Sequence, residues 1–170
     1  IPPSRPETGF GYLEAGRETS AGVREVVRFV EKPPLADAER YAVSGNHYWN
    51  AGIFAFSVRL LFSEMERLCP DVLSSMRVAH AARRSGDAGA FDAAFRSCRS
   101  ISIDYAVMEK ASAVRTVPSG CGWSDLGSWE AVLEFRGGAD GTSVLSGPAF
   151  EEGGSGNLVL AGDRPVRLLG

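Results

Sequence analysis

Histidine and cysteine are scarce in this 170-residue sequence, which contains two histidines and three cysteines. Cys69, Cys98 and Cys121 are too few and too scattered for a disulfide framework, and their spacing fits no zinc site. Two histidines leave little material for a histidine-based metal centre or catalytic triad. Because disulfides are uncommon in reducing compartments, we expect a cytoplasmic protein.

An excess of positive charge, a long apolar run and a nucleotide loop are also missing. The formal net charge is −3, which predicts no nucleic-acid partner. No apolar run approaches the roughly 18 residues of a membrane span, so we expect no membrane partner. The sequence contains no Walker phosphate loop, no complete dinucleotide-binding glycine fingerprint and no nucleophile elbow. It begins at Ile1 without Met and ends in the apolar segment 166–170, from which we expect a piece of a longer protein.

Hydrophobic residues make up 44% and charged residues 23% of the chain, as in a globular protein. The spacing of apolar residues and the positions of glycine and proline predict strands that alternate with helices over residues 9–135, which favours an α/β layered fold. The predicted strands cover residues 9–13, 23–30, 50–56 and 113–117. The predicted helices follow Pro34, Ser57 and Pro70 and cover the regions of 91–95, 102–109 and 127–135. Ser57 is expected to cap its helix, and Trp129 is expected to face inward on the last one.

The composition changes after residue 136, where nine of the chain's 20 glycines fall within 34 residues. Two short apolar runs interrupt this segment, at 158–160 and 166–169. We therefore predict two parts: a domain over 1–136, and a Gly-rich linker with the start of a β-rich tail over 137–170.

The first candidate site is the pair Glu31-Lys32, at the C-terminal end of a predicted strand. In open α/β sheets this edge is where ligands bind. A carboxylate there accepts hydrogen bonds from sugar hydroxyls, and a lysine ammonium pairs with a phosphate. The alternative is a solvated charged turn.

The second and third candidates are Asn50, which follows Tyr48-Trp49, and the glycines of Gly9-Phe10-Gly11-Tyr12. An amide both donates and accepts, which suits adjacent hydroxyls on a sugar ring. Glycine in a strand lets a ligand lie against the backbone. The alternative for Asn50 is a strand entry with packed aromatic residues. The alternative for the glycines is a simple β-bulge.

The fourth candidate is Asp125, within Gly122-Trp123-Ser124-Asp125-Leu126-Gly127 and ahead of a predicted helix. A single carboxylate among glycines before a helix suits a bound cation, and the helix N-terminus suits an anion. The alternative is that Asp125 or Ser124 merely caps the helix.

Five segments in order resemble the bacterial mannose-1-phosphate guanylyltransferases over roughly residues 1–135. They are Arg5-Pro6-Glu7-Thr8-Gly9-Phe10-Gly11-Tyr12, Phe29-Val30-Glu31-Lys32-Pro33, Tyr48-Trp49-Asn50-Ala51-Gly52-Ile53-Phe54, Ser102-Ile103-Asp104-Tyr105-Ala106-Val107-Met108-Glu109-Lys110 and Gly122-Trp123-Ser124-Asp125-Leu126-Gly127-Ser128-Trp129. The resemblance implies transfer of GMP from GTP to mannose 1-phosphate, giving GDP-mannose and pyrophosphate. It implies part of a three-layer αβα, Rossmann-like nucleotide-diphospho-sugar transferase fold with a mixed sheet.

The resemblance also implies roles for the candidate residues. Gly11 would offer its backbone to the sugar, Glu31 and Asn50 would bind sugar hydroxyls, and Lys32 would hold the sugar phosphate. Asp125 would bind Mg²⁺, the implied cofactor, so that Lys32 and Asp125 are the implied catalytic residues. Ser102 to Lys110 is interpreted as a structural helix, with Asp104 a possible exception that supports the site.

One departure from the family pattern matters for activity. The Gly-Gly-x-Gly-x-Arg-Leu-x-Pro-Leu-Ser segment that cradles the nucleotide is absent from this sequence, and so is the family's other metal-binding Asp. The resemblance thus implies a chain that lacks its N-terminal nucleotide-binding half, is inactive alone, and associates with that half or with copies of itself. The alternatives are a nucleotidyltransferase for another hexose 1-phosphate, such as glucose 1-phosphate with dTTP or UTP, and a non-catalytic sugar-phosphate-binding module.

Overall fold

Strands β1 (Gly11–Ser20) and β2 (Val23–Glu31) form a long antiparallel hairpin, which confirms the first two predicted strands. Gly22 has φ +75°, a value that glycine adopts without strain, and it closes the turn between the strands. Two shorter strands pair antiparallel with this hairpin, β3 (His47–Trp49) beside β1 and β4 (Arg115–Thr116) beside β2. The resulting sheet has the order β3-β1-β2-β4.

The computed structural model describes residues 1–137 and 139–170, so that Gly138 of the predicted linker lies outside the described residues. Two units are distinguished, residues 1–121 and residues 122–170. The predicted functional division after residue 136 stays a prediction. The helices of the first unit are α1 (Leu35–Val43), α2 (Val58–Leu68), α3 (Pro70–Ser85) and α4 (Ala88–Ser97), with a π-helical turn at Asp104–Met108.

Helix α1 packs on the sheet through its small and aromatic residues. Ala38 and Tyr41 are buried on α1, and Tyr12 and Trp49 are buried on the strands. The Tyr12 and Tyr41 rings lie 5.4 Å apart, and the Tyr41 ring stacks on His47 at 4.3 Å. These contacts hold β3 in register beside β1, and so they place the residues that follow Trp49.

Helix boundaries follow local sequence signals. The Ser57 hydroxyl accepts a hydrogen bond from the Leu60 N–H, which confirms the predicted cap of α2. Pro70 occupies the first turn of α3, where its missing N–H costs nothing. Buried Cys69, Ala106 and Val107 then pack the start of α3 against the π turn.

The predicted buried strand over residues 50–56 is wrong, because the strand of this region is β3 and residues 51–56 have no regular structure. Ile53 is 82% exposed and Phe56 is 47% exposed. An apolar run becomes a strand only where a neighbouring strand takes its backbone hydrogen bonds. None pairs with this run in the described part of the chain. The run instead borders an apolar hollow of about 300 Å³.

The second unit contains α5 (Trp129–Phe135), a 3₁₀ helix (Ala139–Gly141) and four short strands. Strands β5 (Val144–Ser146) and β7 (Leu158–Leu160) pair in parallel, as do β6 (Ala149–Glu152) and β8 (Val166–Leu169). The apolar runs at 158–160 and 166–169 are thus strands, whereas the predicted β-rich tail stays a prediction. The inward orientation predicted for Trp129 is wrong, because this side chain is 71% exposed and α5 buries no residue. Among the described residues, no helix has both the length and the apolar character needed to cross a membrane.

Candidate functional site

Gly11 and Glu31 are paired across β1 and β2, at the open end of the hairpin. A Cβ atom placed on Gly11 would overlap a carboxylate oxygen of Glu31 and would lie 3.1 Å from the Phe29 ring. The Glu31 side chain therefore folds over the glycine, and only 12% of it remains exposed. Glycine at position 11 thus makes room for a carboxylate.

Asn50 lies beside this pair because its backbone N–H donates to the Gly11 carbonyl at 2.7 Å. Its side-chain amide is held at both ends. The Nδ2 atom donates to Asp104 Oδ1 at 3.0 Å, and the Oδ1 atom accepts from the Gly52 N–H at 3.0 Å. One N–H and one oxygen lone pair of the amide remain for a ligand.

Lys32 follows Glu31 directly and departs from strand geometry, with φ +50°. Its N–H donates to the Phe10 carbonyl at 3.1 Å, which ties this left-handed residue to the β1 side of the hairpin. The turn brings Nζ to 4.0 Å from Glu31 Oε1, while 57% of the lysine side chain stays exposed. The ammonium is thus adjacent to the carboxylate and accessible to an anion.

The charge around Glu31 is predominantly negative. Burial raises the pKa of its carboxyl, the Asp104 and Glu109 carboxylates raise it further, and Lys32 acts against them. The Glu31 backbone N–H donates to Glu109 Oε1 at 2.9 Å. A partly buried carboxyl, an amide and one accessible cation form a set suited to a hydroxylated ligand that carries one anionic group.

From its sequence, the segment that carries Asp104 and Glu109 is predicted to be structural, with Asp104 a possible exception. The structure places both side chains against the candidate site, through Asn50 and Glu31 respectively. Glu109 was missed because residues five apart do not share a face of an α-helix. The chemical signal, two acids flanking an apolar stretch, is present in the sequence, but the turn that unites them is not readable from spacing.

Asp125 lies in the second unit, on the loop before α5, and its side chain is exposed. The capping alternative fails, because the cap of α5 is Ser128, whose hydroxyl accepts from the Ala131 N–H at 3.1 Å. A Cβ atom on Gly127 would lie 2.5 Å from Asp125 Oδ2, so glycine leaves space for this carboxylate. The role of Asp125 as a metal ligand stays a prediction.

The structure therefore brings Gly11, Glu31, Lys32 and Asn50 together in the first unit, whereas Asp125 belongs to the second. Among residues 1–137 and 139–170, no group of three or more His, Cys, Asp or Glu side chains is arranged to hold a metal ion. As a single exposed carboxylate, Asp125 fits a hard cation only as one ligand among others.

A family model described as "Nucleotidyl transferase" matches residues 1–138. The chain belongs to this family. The sequence of this chain is 43% identical over 136 residues to the xanthan biosynthesis protein XanB of Xanthomonas campestris, and the match covers 79% of this chain and 29% of that protein. It is 41% identical over 167 residues to a mannose-1-phosphate guanylyltransferase of Sinorhizobium fredii, covering 95% of this chain and 32% of that protein.

A solved structure supports the same assignment of the fold. The nucleotidyl transferase chain matches a crystal structure titled as mannose-1-phosphate geranyltransferase from Thermus thermophilus, with a TM-score of 0.78 and 30% identity. The match covers 99% of this chain and 48% of that chain. The predicted α/β nucleotidyltransferase fold is thus confirmed. The chain spans 29% to 37% of the length of the curated relatives that it matches.

Proposed function

We propose that this chain supplies the sugar-phosphate site of an enzyme that transfers GMP from GTP to mannose 1-phosphate. In the proposed reaction an oxygen of the sugar phosphate forms a bond to the α-phosphorus of GTP. The bond from that phosphorus to the β-phosphate breaks, giving GDP-mannose and pyrophosphate. The observation that carries the proposal is the convergence of Glu31, Asn50 and Lys32 at one strand end, in a chain whose relatives include proteins named for this activity.

Each side chain has a role that its surroundings support. Glu31 and Asn50 offer a carboxyl and a half-engaged amide to the hydroxyls of the sugar. The exposed Lys32 ammonium pairs with the sugar phosphate, and it is also the positive charge that acts against the negative charge around Glu31. Gly11 leaves the space that the Glu31 carboxyl occupies, and we propose that its backbone faces the ligand.

We propose Asp125 as one ligand of Mg²⁺, with phosphate oxygens and water supplying the others. When bound, such an ion neutralises the charge that builds on the phosphates during transfer. The cradle for GTP has no counterpart in this sequence, so we propose that residues outside these 170 provide it and that this chain alone has no turnover.

We also propose that the apolar surface around residues 51–56 is covered in the working protein, by the rest of its own chain or by a second copy. Ile53 and Phe56 line the apolar hollow, and Ile53, Phe56 and Val58 are all exposed. Exposed apolar residues in such a patch mark contact surfaces.

Free thiols at Cys69, Cys98 and Cys121 support the proposed cytoplasmic location.

The decisive experiment is a calorimetric titration of the 170-residue chain with mannose 1-phosphate, with and without Mg²⁺. Glucose 1-phosphate is the matched ligand control for the alternative substrate. We expect saturable binding that prefers mannose 1-phosphate and is lost in Lys32→Ala. The variant Arg96→Ala removes an exposed positive charge from α4 and should bind like the parent. Equal affinity for both sugars, or unchanged binding by Lys32→Ala, would contradict the assignment.

A further inference from the structure

The π turn at Asp104–Met108 places the side chains of Asp104 and Glu109 against the same candidate site. Its defining hydrogen bond runs from the Glu109 N–H to the Asp104 carbonyl at 3.0 Å, a span of five residues. On an ordinary α-helix, positions five apart are separated by roughly 140° around the axis. The wider π turn reduces this separation, and both carboxylates make hydrogen bonds to residues of the candidate site.

Asp104 determines the orientation of the Asn50 amide. A carboxylate only accepts hydrogen bonds, so the group that faces Asp104 Oδ1 at 3.0 Å must be the amide NH₂. The Gly52 N–H only donates, and it meets the amide oxygen at 3.0 Å. The two partners therefore select the same one of two possible amide orientations, and they fix which edge of Asn50 donates to a ligand.

Glu109 acts on the neighbouring strand end. Its Oε1 atom accepts a hydrogen bond from the backbone N–H of Glu31, the last residue of β2, at 2.9 Å, and the next residue, Lys32, departs from strand geometry. The bond links residues 78 positions apart and crosses from the π turn to the sheet. Ala106 and Val107 of the same turn are buried and pack with Cys69 in the core.

We propose that Asp104 and Glu109 are positioning residues of the sugar-phosphate site: Asp104 sets the orientation of the Asn50 amide, and Glu109 anchors the strand end that carries Glu31 and Lys32. Neither carboxylate needs to touch the ligand. The inference rests on the proposed function, because the value of a fixed amide orientation lies in what Asn50 binds.

The first test is a nuclear magnetic resonance measurement on the free chain, which needs no ligand. The Asn50 side-chain NH₂ should give one sharp pair of resonances in the parent chain. Asp104→Asn replaces the carboxylate by an amide that can donate or accept, so only the Gly52 N–H still selects the Asn50 orientation, and the Asn50 resonances should shift and broaden. Asp92→Asn makes the same chemical change at an exposed position of α4 and should leave them unmoved. An unmoved Asn50 pair in Asp104→Asn overturns the role of Asp104.

The second test is titration of the variants with mannose 1-phosphate. We expect Asp104→Asn to bind about tenfold more weakly, on the scale of one charge-assisted hydrogen bond. Glu109→Gln keeps an acceptor for the Glu31 N–H and should bind within about twofold of the parent, whereas Glu109→Ala should lose about fivefold or more.

The outcomes separate the two proposals. If the parent chain binds and Asp104→Asn binds equally well, the positioning role is refuted while the proposed function stands. If Glu109→Gln is as weak as Glu109→Ala, the anchor is not the hydrogen bond. If the folded parent chain does not bind mannose 1-phosphate, the proposed function fails, and the resonance experiment alone then decides whether Asp104 orients Asn50.

Discussion

Gly11→Ala is the substitution whose effect follows most directly from the geometry. The new Cβ atom would overlap the Glu31 carboxylate, and it would lie 3.1 Å from the Phe29 ring and 3.3 Å from Asn50 Cβ. The backbone at Gly11 does not require glycine, since it has no positive φ. The whole cost therefore comes from side-chain overlap, and the Glu31 carboxylate must move for the chain to fold.

Overpacking of a well-packed core costs roughly 1–3 kcal/mol in free energy of unfolding, and the low end of that range applies here because the nearest atom is the end of the flexible Glu31 side chain. We expect a loss of that size for Gly11→Ala, measured by urea denaturation. Gly120→Ala is the matched control, because a Cβ atom there meets nothing within 4 Å, and its unfolding free energy should be unchanged. Binding of mannose 1-phosphate should also weaken by about tenfold, since the displaced carboxyl loses its place opposite Asn50.

A double-substitution cycle identifies the source of the loss. In a Glu31→Ala background the overlap with the carboxylate is gone, and only the two tight contacts at 3.1 Å and 3.3 Å remain. Gly11→Ala should then cost less than about 1 kcal/mol, so the two substitutions should be non-additive. An equal cost in both backgrounds would refute the view that Gly11 makes room for Glu31.

Three further predictions concern Glu31, the apolar surface around residues 51–56 and the cap of α5. Glu31→Gln should raise the free energy of unfolding at pH 7 and have no such effect at acidic pH, and urea denaturation at the two pH values measures this. The reason is that a carboxyl whose pKa is raised in the folded protein destabilises the fold as the pH rises from the ordinary pKa through the raised pKa. Ile53→Lys should reduce self-association in sedimentation velocity, whereas Val43→Lys, at an exposed residue outside this patch, should not; equal effects would argue against a specific apolar contact surface. Ser128→Ala should destabilise α5 by about 1 kcal/mol, while Asp125→Ala should leave its helical chemical shifts unchanged, and the reverse result would restore Asp125 as the cap.

Much of the first unit could be predicted because its signals are local. The β1–β2 hairpin follows from two apolar runs around a glycine turn, and α2 follows from Ser57 ahead of a helical period. Glu31 and Lys32 could be placed at a strand end because Pro33 and Pro34 must stop the strand. These features depend on residues within a few positions of each other.

The failures involve partners that are distant in sequence. The run that includes Ile53 and Phe56 has the composition of a buried strand, but no strand of the described chain pairs with it. Trp129 fits a helical period, yet that period cannot specify which face finds a neighbour, and its side chain is 71% exposed. Glu109 required a π turn that spacing rules do not generate. For Ile53, Phe56 and Trp129 the local pattern is present in the sequence, and the tertiary context decides its outcome.

The left-handed backbone of Lys32 gives the strand end a trade-off between folding and chemistry. A side chain other than glycine at φ +50° costs on the order of 1 kcal/mol relative to glycine. A glycine would therefore suit the local backbone better, but it would carry no ammonium. On the proposed function, the chain tolerates this local strain because the same bend that disfavours a lysine backbone also directs its charge beside Glu31. Selection for thermal stability alone would be expected to replace Lys32 first among the site residues. The proposed ion pair between its ammonium and the sugar phosphate would then be lost.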